Sequence, residues 1–133
     1  MSYNQKISKL GIDVEELNWR KHSPDLVDYR GTPIHDTYFQ GWQSCDQYAY
    51  EVRTGKIVAG KEVKNAVDRY IIDRFTRDDL DWCIEEIDMM IIFSNSLKHA
   101  KGKLMGKPLL LMPWMIFILG NVYGWYSNSG ENK

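Results

Sequence analysis

The stretch GKEVKNAVDRYIIDRF, residues 60–75, decides the fold class. Its apolar positions are Val63, Ala66, Val67, Tyr70 and Ile71. They fall at i, i+3, i+4, i+7 and i+8, the spacing of one face of an α-helix. Lys61, Lys64, Asp68 and Arg69 fall on the other face. Thr76, with Asp79 three residues later, then gives a capping-box-like start to a second helix. Leu80, Ile84, Ile87 and Ile91 follow at helical spacing, and Cys83, Met90 and Leu97 widen their apolar face. A face so broad is usually covered on two sides. This second segment is expected to end near Ala100, with Gly102 as its stop, and to form a central helical hairpin with the first.

Working outward, a third helix is expected from Tyr38 to Val52, with Tyr38, Trp42, Cys45, Ala49 and Val52 on one face and Gly55 as the stop. Before it, Ile7, Leu10, Val14 and Leu17 recur at helical intervals with Gly11 as a break. The runs at Ser23-Pro24-Asp25 and Gly31-Thr32-Pro33 read as turns. Towards the other end, Pro108 and Pro113 bracket an extended apolar strip, and Pro113 suits the first turn of a last helix. That helix carries Trp114, Phe117, Ile118, Val122 and Trp125 and should close near Gly124. The expected architecture is all-α, with about five helices in a single domain spanning 1–133. Residues 1–55 form an irregular helical part, 56–126 the regular part, and 127–133 a polar, frayed tail.

Length and composition suit one globular domain: 133 residues, 44% hydrophobic and 26% charged. A formal net charge of −1 supplies no global field for nucleic acid, so any DNA contact must come from a local patch. One such patch is KHAKGKLMGK, residues 98–107, with Lys98, Lys101, Lys103 and Lys107. It reads as a solvated connector or as a loop that contacts phosphates or an acidic surface. The two cysteines, Cys45 and Cys83, show no metal or disulfide spacing and read as reduced, intracellular thiols. No apolar run opens the chain, so no secretory signal is expected. Leu109–Tyr126 is uncharged and long enough to raise a membrane span, but Pro113, Gly120, Asn121 and Gly124 interrupt it. A segment buried against protein is the better reading.

Catalytic motifs are not evident. The pairs Gly55-Lys56, Gly60-Lys61, Gly102-Lys103 and Gly106-Lys107 lack the Ser or Thr of a phosphate-binding loop. His22, His35 and His99 are scattered; His35-Asp36 suits a surface or capping role better than proton transfer. Asp81, Glu85, Glu86 and Asp88 suit a solvated acidic face better than a magnesium site. No metal, no cofactor and no enzymatic activity are expected.

The order of segments carries a resemblance. Tyr48-Ala49-Tyr50-Glu51-Val52 leads into Thr54-Gly55-Lys56-Ile57-Val58-Ala59-Gly60-Lys61 and then Val63-Lys64-Asn65-Ala66. Later come Leu97-Lys98-His99-Ala100-Lys101-Gly102, Gly106-Lys107-Pro108, Pro113-Trp114-Met115 with Phe117-Ile118, and Tyr123-Gly124-Trp125. This ordered set, over more than half the chain, resembles the N-terminal region of the large subunit of tailed-phage terminases, which package and cut phage DNA. In that family an ATPase domain and then a nuclease domain follow this region. Their motifs are missing here, so the resemblance implies the packaging context without the motor or nuclease chemistry. Many members carry Gln after the Pro-Trp pair, where it is thought to contact adenine. Met115 stands there instead, and a thioether is a poor partner for an adenine edge.

The resemblance implies a non-catalytic interaction module in the host cell cytoplasm. Its partners would be a terminase ATPase body, the small subunit or the portal, with weak DNA contact. The alternative is a stand-alone phage inhibitor of a host defence protein such as a CRISPR effector, an anti-CRISPR candidate. The apolar interface candidates are Trp114, Met115, Phe117, Ile118 and Trp125; the basic ones are Lys98, Lys101, Lys103 and Lys107. The oligomeric state is left open.

Overall fold

A computed structural model describes residues 7–36, 38–98, 102–103 and 105–128. Among the described residues the chain is mainly helical, as expected, with one small sheet of two strands. A 3-10 turn at Val14–Leu17 precedes α1 (Trp19–His22). The longer helices are α2 (Gln43–Arg53), α3 (Lys61–Thr76), α4 (Ile84–Ser96) and α5 (Pro113–Tyr123). Strand β1 (Leu80–Trp82) precedes α4, and β2 (Trp125–Ser127) follows α5.

The centre of the fold is α2, not the expected hairpin of α3 with α4. Its most extensive contact is with α5, and it also packs on α3, α1 and the 3-10 turn. Helix α4 packs on α5. Burial almost all round α2 explains this: Ser44, Cys45, Asp46, Gln47, Ala49, Tyr50 and Val52 are all buried. The residue contact that sets α2 against α5 is small. A Cβ added to Gly120 would lie 2.5 Å from Cys45 Sγ. Gly120 therefore allows the close approach, and the Cys45 thiol donates to the Ile116 carbonyl at 3.4 Å. Helix α2 starts at Gln43, five residues later than expected from Tyr38, which is exposed. It ends as Gly55 predicts: Thr54 Oγ1 donates to the Tyr50 carbonyl at 2.8 Å, and Gly55 takes φ +83°.

Helix α3 spans the expected residues, but its buried face is narrower. Val67, Tyr70 and Ile71 are buried, whereas Val63 and Ala66 are exposed. Asp68, expected on the solvent face, is buried opposite Arg53, Nε to Oδ1 at 3.6 Å.

The second expected helix does not begin at Thr76. Leu80, Asp81 and Trp82 instead form β1, antiparallel to β2, with Leu80 opposite Ser127, Asp81 opposite Tyr126 and Trp82 opposite Trp125. Alternation explains the switch: Leu80 and Trp82 are half-buried and Asp81 between them is exposed. Trp82 meets the ring of Trp125 at 4.7 Å, a pairing that only a strand partner distant in sequence could supply. The beginning of the expected frayed tail is thus ordered. Asn128 Nδ2 also donates to the Asp78 carbonyl at 2.7 Å. Residues 129–133 lie outside the described set.

Helix α4 is covered on one side only, contrary to expectation. Ile87, Ile91 and Asn95 are buried, and Met89, Ile92 and Phe93 are exposed. After it, Lys98 pairs with Pro108 in an isolated bridge, which closes the basic loop at its base. The strip before Pro113 is extended, and two buried amides hold it. Leu111 N–H donates to Gln40 Oε1 at 3.0 Å, and Gln40 Nε2 donates to the Leu111 carbonyl at 2.7 Å. Asn95 Nδ2 donates to the Leu109 carbonyl at 3.0 Å. These side chains satisfy backbone groups that a neighbouring strand would otherwise satisfy. Pro113 then opens α5 at its first turn. Among the described residues, no helix is long and apolar enough to cross a membrane.

Candidate functional site: a groove between two helices

Helices α3 and α5 border a groove of about 770 Å³. Tyr70, Phe117 and Trp125 contribute aromatic rings to it. Arg69, Asp73 and Arg77 line it from α3 and the turn beyond; Ile118, Asn121 and Val122 line it from α5.

The aromatic groups are fixed by contacts beneath the groove. Tyr70 packs edge-on against Phe117 at 5.2 Å and against Trp82 at 5.3 Å. Its hydroxyl donates to Asp46, whose side chain is almost completely buried. The same carboxylate receives Trp19 Nε1 at 3.0 Å, Arg74 Nη2 at 2.9 Å and Arg74 Nε at 3.1 Å. Four donors on one buried carboxylate lock α1, α2 and α3 together. Burial pushes the Tyr70 phenol well above its ordinary value, and the Asp46 charge adds to the shift. Burial on its own would lower the Arg74 pKa, but hydrogen bonding and charge from Asp46 outweigh it and raise the value.

On the α5 side, Trp125 Nε1 donates to Asn121 Oδ1 at 3.1 Å, and Asn121 Nδ2 donates to the Phe117 carbonyl at 2.8 Å. On the α3 side, Arg69 lies 3.9 Å from Asp73. Arg77 makes a bidentate contact to Asp79, both bonds at 2.7 Å, which holds the Asp79 carboxyl below its ordinary value. A guest in the groove would therefore meet apolar carbon on one side and exposed guanidinium groups on the other. The Tyr70 hydroxyl is already committed to Asp46, so its proton is not free for a guest.

The sequence-derived candidates separate here. Phe117, Ile118 and Trp125 come together in the groove; Trp114 and Met115 do not line it. Phe117 is buried, Met115 and Trp125 are half-buried, and Trp114 and Ile118 are 47% and 51% exposed. Lys98, Lys103 and Lys107 are exposed and none lines the groove; Lys101 lies outside the described residues. Arg69, Asp73 and Arg77 were not anticipated. Their i, i+4, i+8 spacing was the available signal, but a polar stripe beside an apolar one reads as ordinary solvated surface.

The acidic residues near α4 do not gather. Asp88 turns inward, where its Oδ1 accepts the Trp42 N–H at 2.9 Å; Glu85 and Glu86 stay exposed. Burial raises the Asp88 pKa, with the Trp42 bond acting against it. Among the described residues, no three His, Cys, Asp or Glu side chains are placed to hold a metal. His35 Nδ1 lies 3.2 Å from Asp36 Oδ1 with both side chains largely exposed.

No family model matches the chain, and no curated protein or solved structure matches it either.

Proposed function

We propose that this chain is a non-catalytic docking module of a terminase-like DNA-packaging assembly, and that a protein partner seats on the outer face of α5 and the groove beside it. The observation that carries the reading is the division of α5 between two environments. Ile116, Phe117 and Gly120 face the core, while Trp114, Ile118 and Val122 stand exposed at i, i+4 and i+8 on the same helix. An aligned apolar stripe beside an aromatic-floored groove suits a protein contact. The stripe begins in the Pro113-Trp114-Met115 block that also carries the terminase resemblance, which makes an ATPase body the first partner to try.

The test uses Ile118→Glu and Val122→Glu together. Both side chains are exposed, so the fold should persist. The expected result is that the unaltered chain co-elutes with a terminase ATPase–nuclease body and the double variant does not. Equal retention of both would overturn the reading. Retention of neither, together with stoichiometric capture of a host defence protein that the double variant loses, would move the same surface to the inhibitor role.

A further inference from the structure

The outward face of α4 is a second, separate surface. Glu85, Met89, Ile92 and Ser96 follow one another at steps of four, three and four, with Glu86 and Phe93 alongside. All six are exposed, Met89 at 63% and Phe93 at 60%, while Ile87, Ile91 and Asn95 hold the opposite side in the core. This is the spacing of a seam between two helices. Its ends carry opposite charge. Glu85 and Glu86 stand in the first turn. Lys98 stands just past the last turn, and Lys107 precedes Pro108, the residue that Lys98 pairs with. Among the described residues, none of these four charges is in an ion pair within the chain.

We infer that this face pairs with the same face of a second copy of the chain, antiparallel, about a two-fold axis at Ile92. The axis turns the acidic first turn of each copy, with Glu85 and Glu86, towards the Lys98 end of the other. Ile92 meets its own copy at the axis, and Met89 of each helix seats between Phe93 and Ser96 of the other. Antiparallel pairing also sets the positive end of each helix dipole beside the negative end of its partner. Parallel pairing would place Glu on Glu and Lys on Lys. A duplex or an anionic membrane is a poorer match, since the acidic end of the stripe would face phosphate. A two-fold contact of this kind is self-complementary by construction. One helix face and the loop at its end supply less than the roughly 800 Å² per partner of a standard interface, so the dimer is expected to be reversible.

The experiment is sedimentation equilibrium of the chain over a concentration series. The expected result is a monomer–dimer equilibrium. Two charge-reversal variants, Glu85→Lys with Glu86→Lys and Lys98→Glu with Lys107→Glu, should each weaken it at least tenfold. Mixing the two should restore a heterodimer. Should either reversal lose its helical circular dichroism, Ile92→Lys, which meets its own copy at the axis, replaces it in the same assay. A chain that stays monomeric at every concentration would overturn the inference. So would a dimer that neither reversal weakens, or reversal variants that fail to recover on mixing. None of these changes touches the α3–α5 groove, so the docking role stands or falls by its own assay.

Discussion

Asp46 shows how one buried side chain can organise several elements. It receives donors from Trp19, Tyr70 and Arg74, and removing it would leave the half-buried Arg74 guanidinium without its partner. Breaking one side of a buried pair costs about 3–5 kcal/mol. Asp46→Ala should therefore lose stability on that scale in urea unfolding, and Tyr70→Phe, which removes the bond to Asp46 and the one the hydroxyl accepts from Arg74 Nε, about 2 kcal/mol. Asp88 works in the opposite sense. Its folded pKa is raised above the ordinary Asp value of 3.8, so the folded state holds the proton more tightly than the unfolded state does. That contribution is present below 3.8 and is lost as pH rises through the folded value. Asp88→Asn keeps an oxygen acceptor for the Trp42 N–H and removes the charge. It should raise Tm at pH 7 and leave it unchanged below pH 3.8, as measured by calorimetry at both. The thiols give a simpler check. Burial pushes Cys45 well above its ordinary value, and the residue is inaccessible, so a thiol reagent at pH 8 should modify only Cys83 in the native protein.

At the scale of elements, the close pass of α5 over α2 depends on Gly120. Gly120→Ala would press a methyl group onto Cys45 Sγ, and overpacking of this kind costs about 1–3 kcal/mol. If the contact sets the spacing, Cys45→Ala should recover part of that loss in a double-mutant cycle. The elements differ in how legible they were. Helix α3, the stop at Gly55 and the start of α5 at Pro113 follow from local signals: periodicity, a residue able to take positive φ, and a missing N–H. Strand β1 does not. Leu80-Asp81-Trp82 fits helical spacing as well as strand alternation, and its partner Trp125 lies more than forty residues away. Helix α4 misled for a related reason. Its apolar residues run round the whole surface, so the sequence pattern could not tell the side turned to α5 from the side left open. The groove was partly legible: Phe117, Ile118 and Trp125 stood out as apolar anchors, whereas Tyr70 read as an ordinary core position and the arginines had no local mark.

For the molecule as a whole, the last segment, from Pro113 onward, is both the completion of the core and the proposed contact with a partner. Its inner side supplies Ile116, Phe117 and Gly120 against α2, and β2 covers Trp82 on β1. Each large apolar side chain buried there is worth roughly 1.5–3 kcal/mol. The segment contributes several such side chains, and a domain of this size is stable by only about 5–15 kcal/mol. Its removal should therefore exceed the margin and unfold the rest, rather than leave a smaller folded domain with an exposed patch. Circular dichroism and thermal melting of a chain ending at Met112 test this directly. Loss of the cooperative transition is the expected outcome, whereas a cooperative melt with helix content retained would show that α2, α3 and α4 form a core without α5. The double change at Ile118 and Val122 separates the two roles, because those side chains lie on the open side of α5 and should melt like the unaltered chain. A large drop in Tm for that variant would mean that the outer stripe belongs to the core, and would remove the distinction on which the docking role rests.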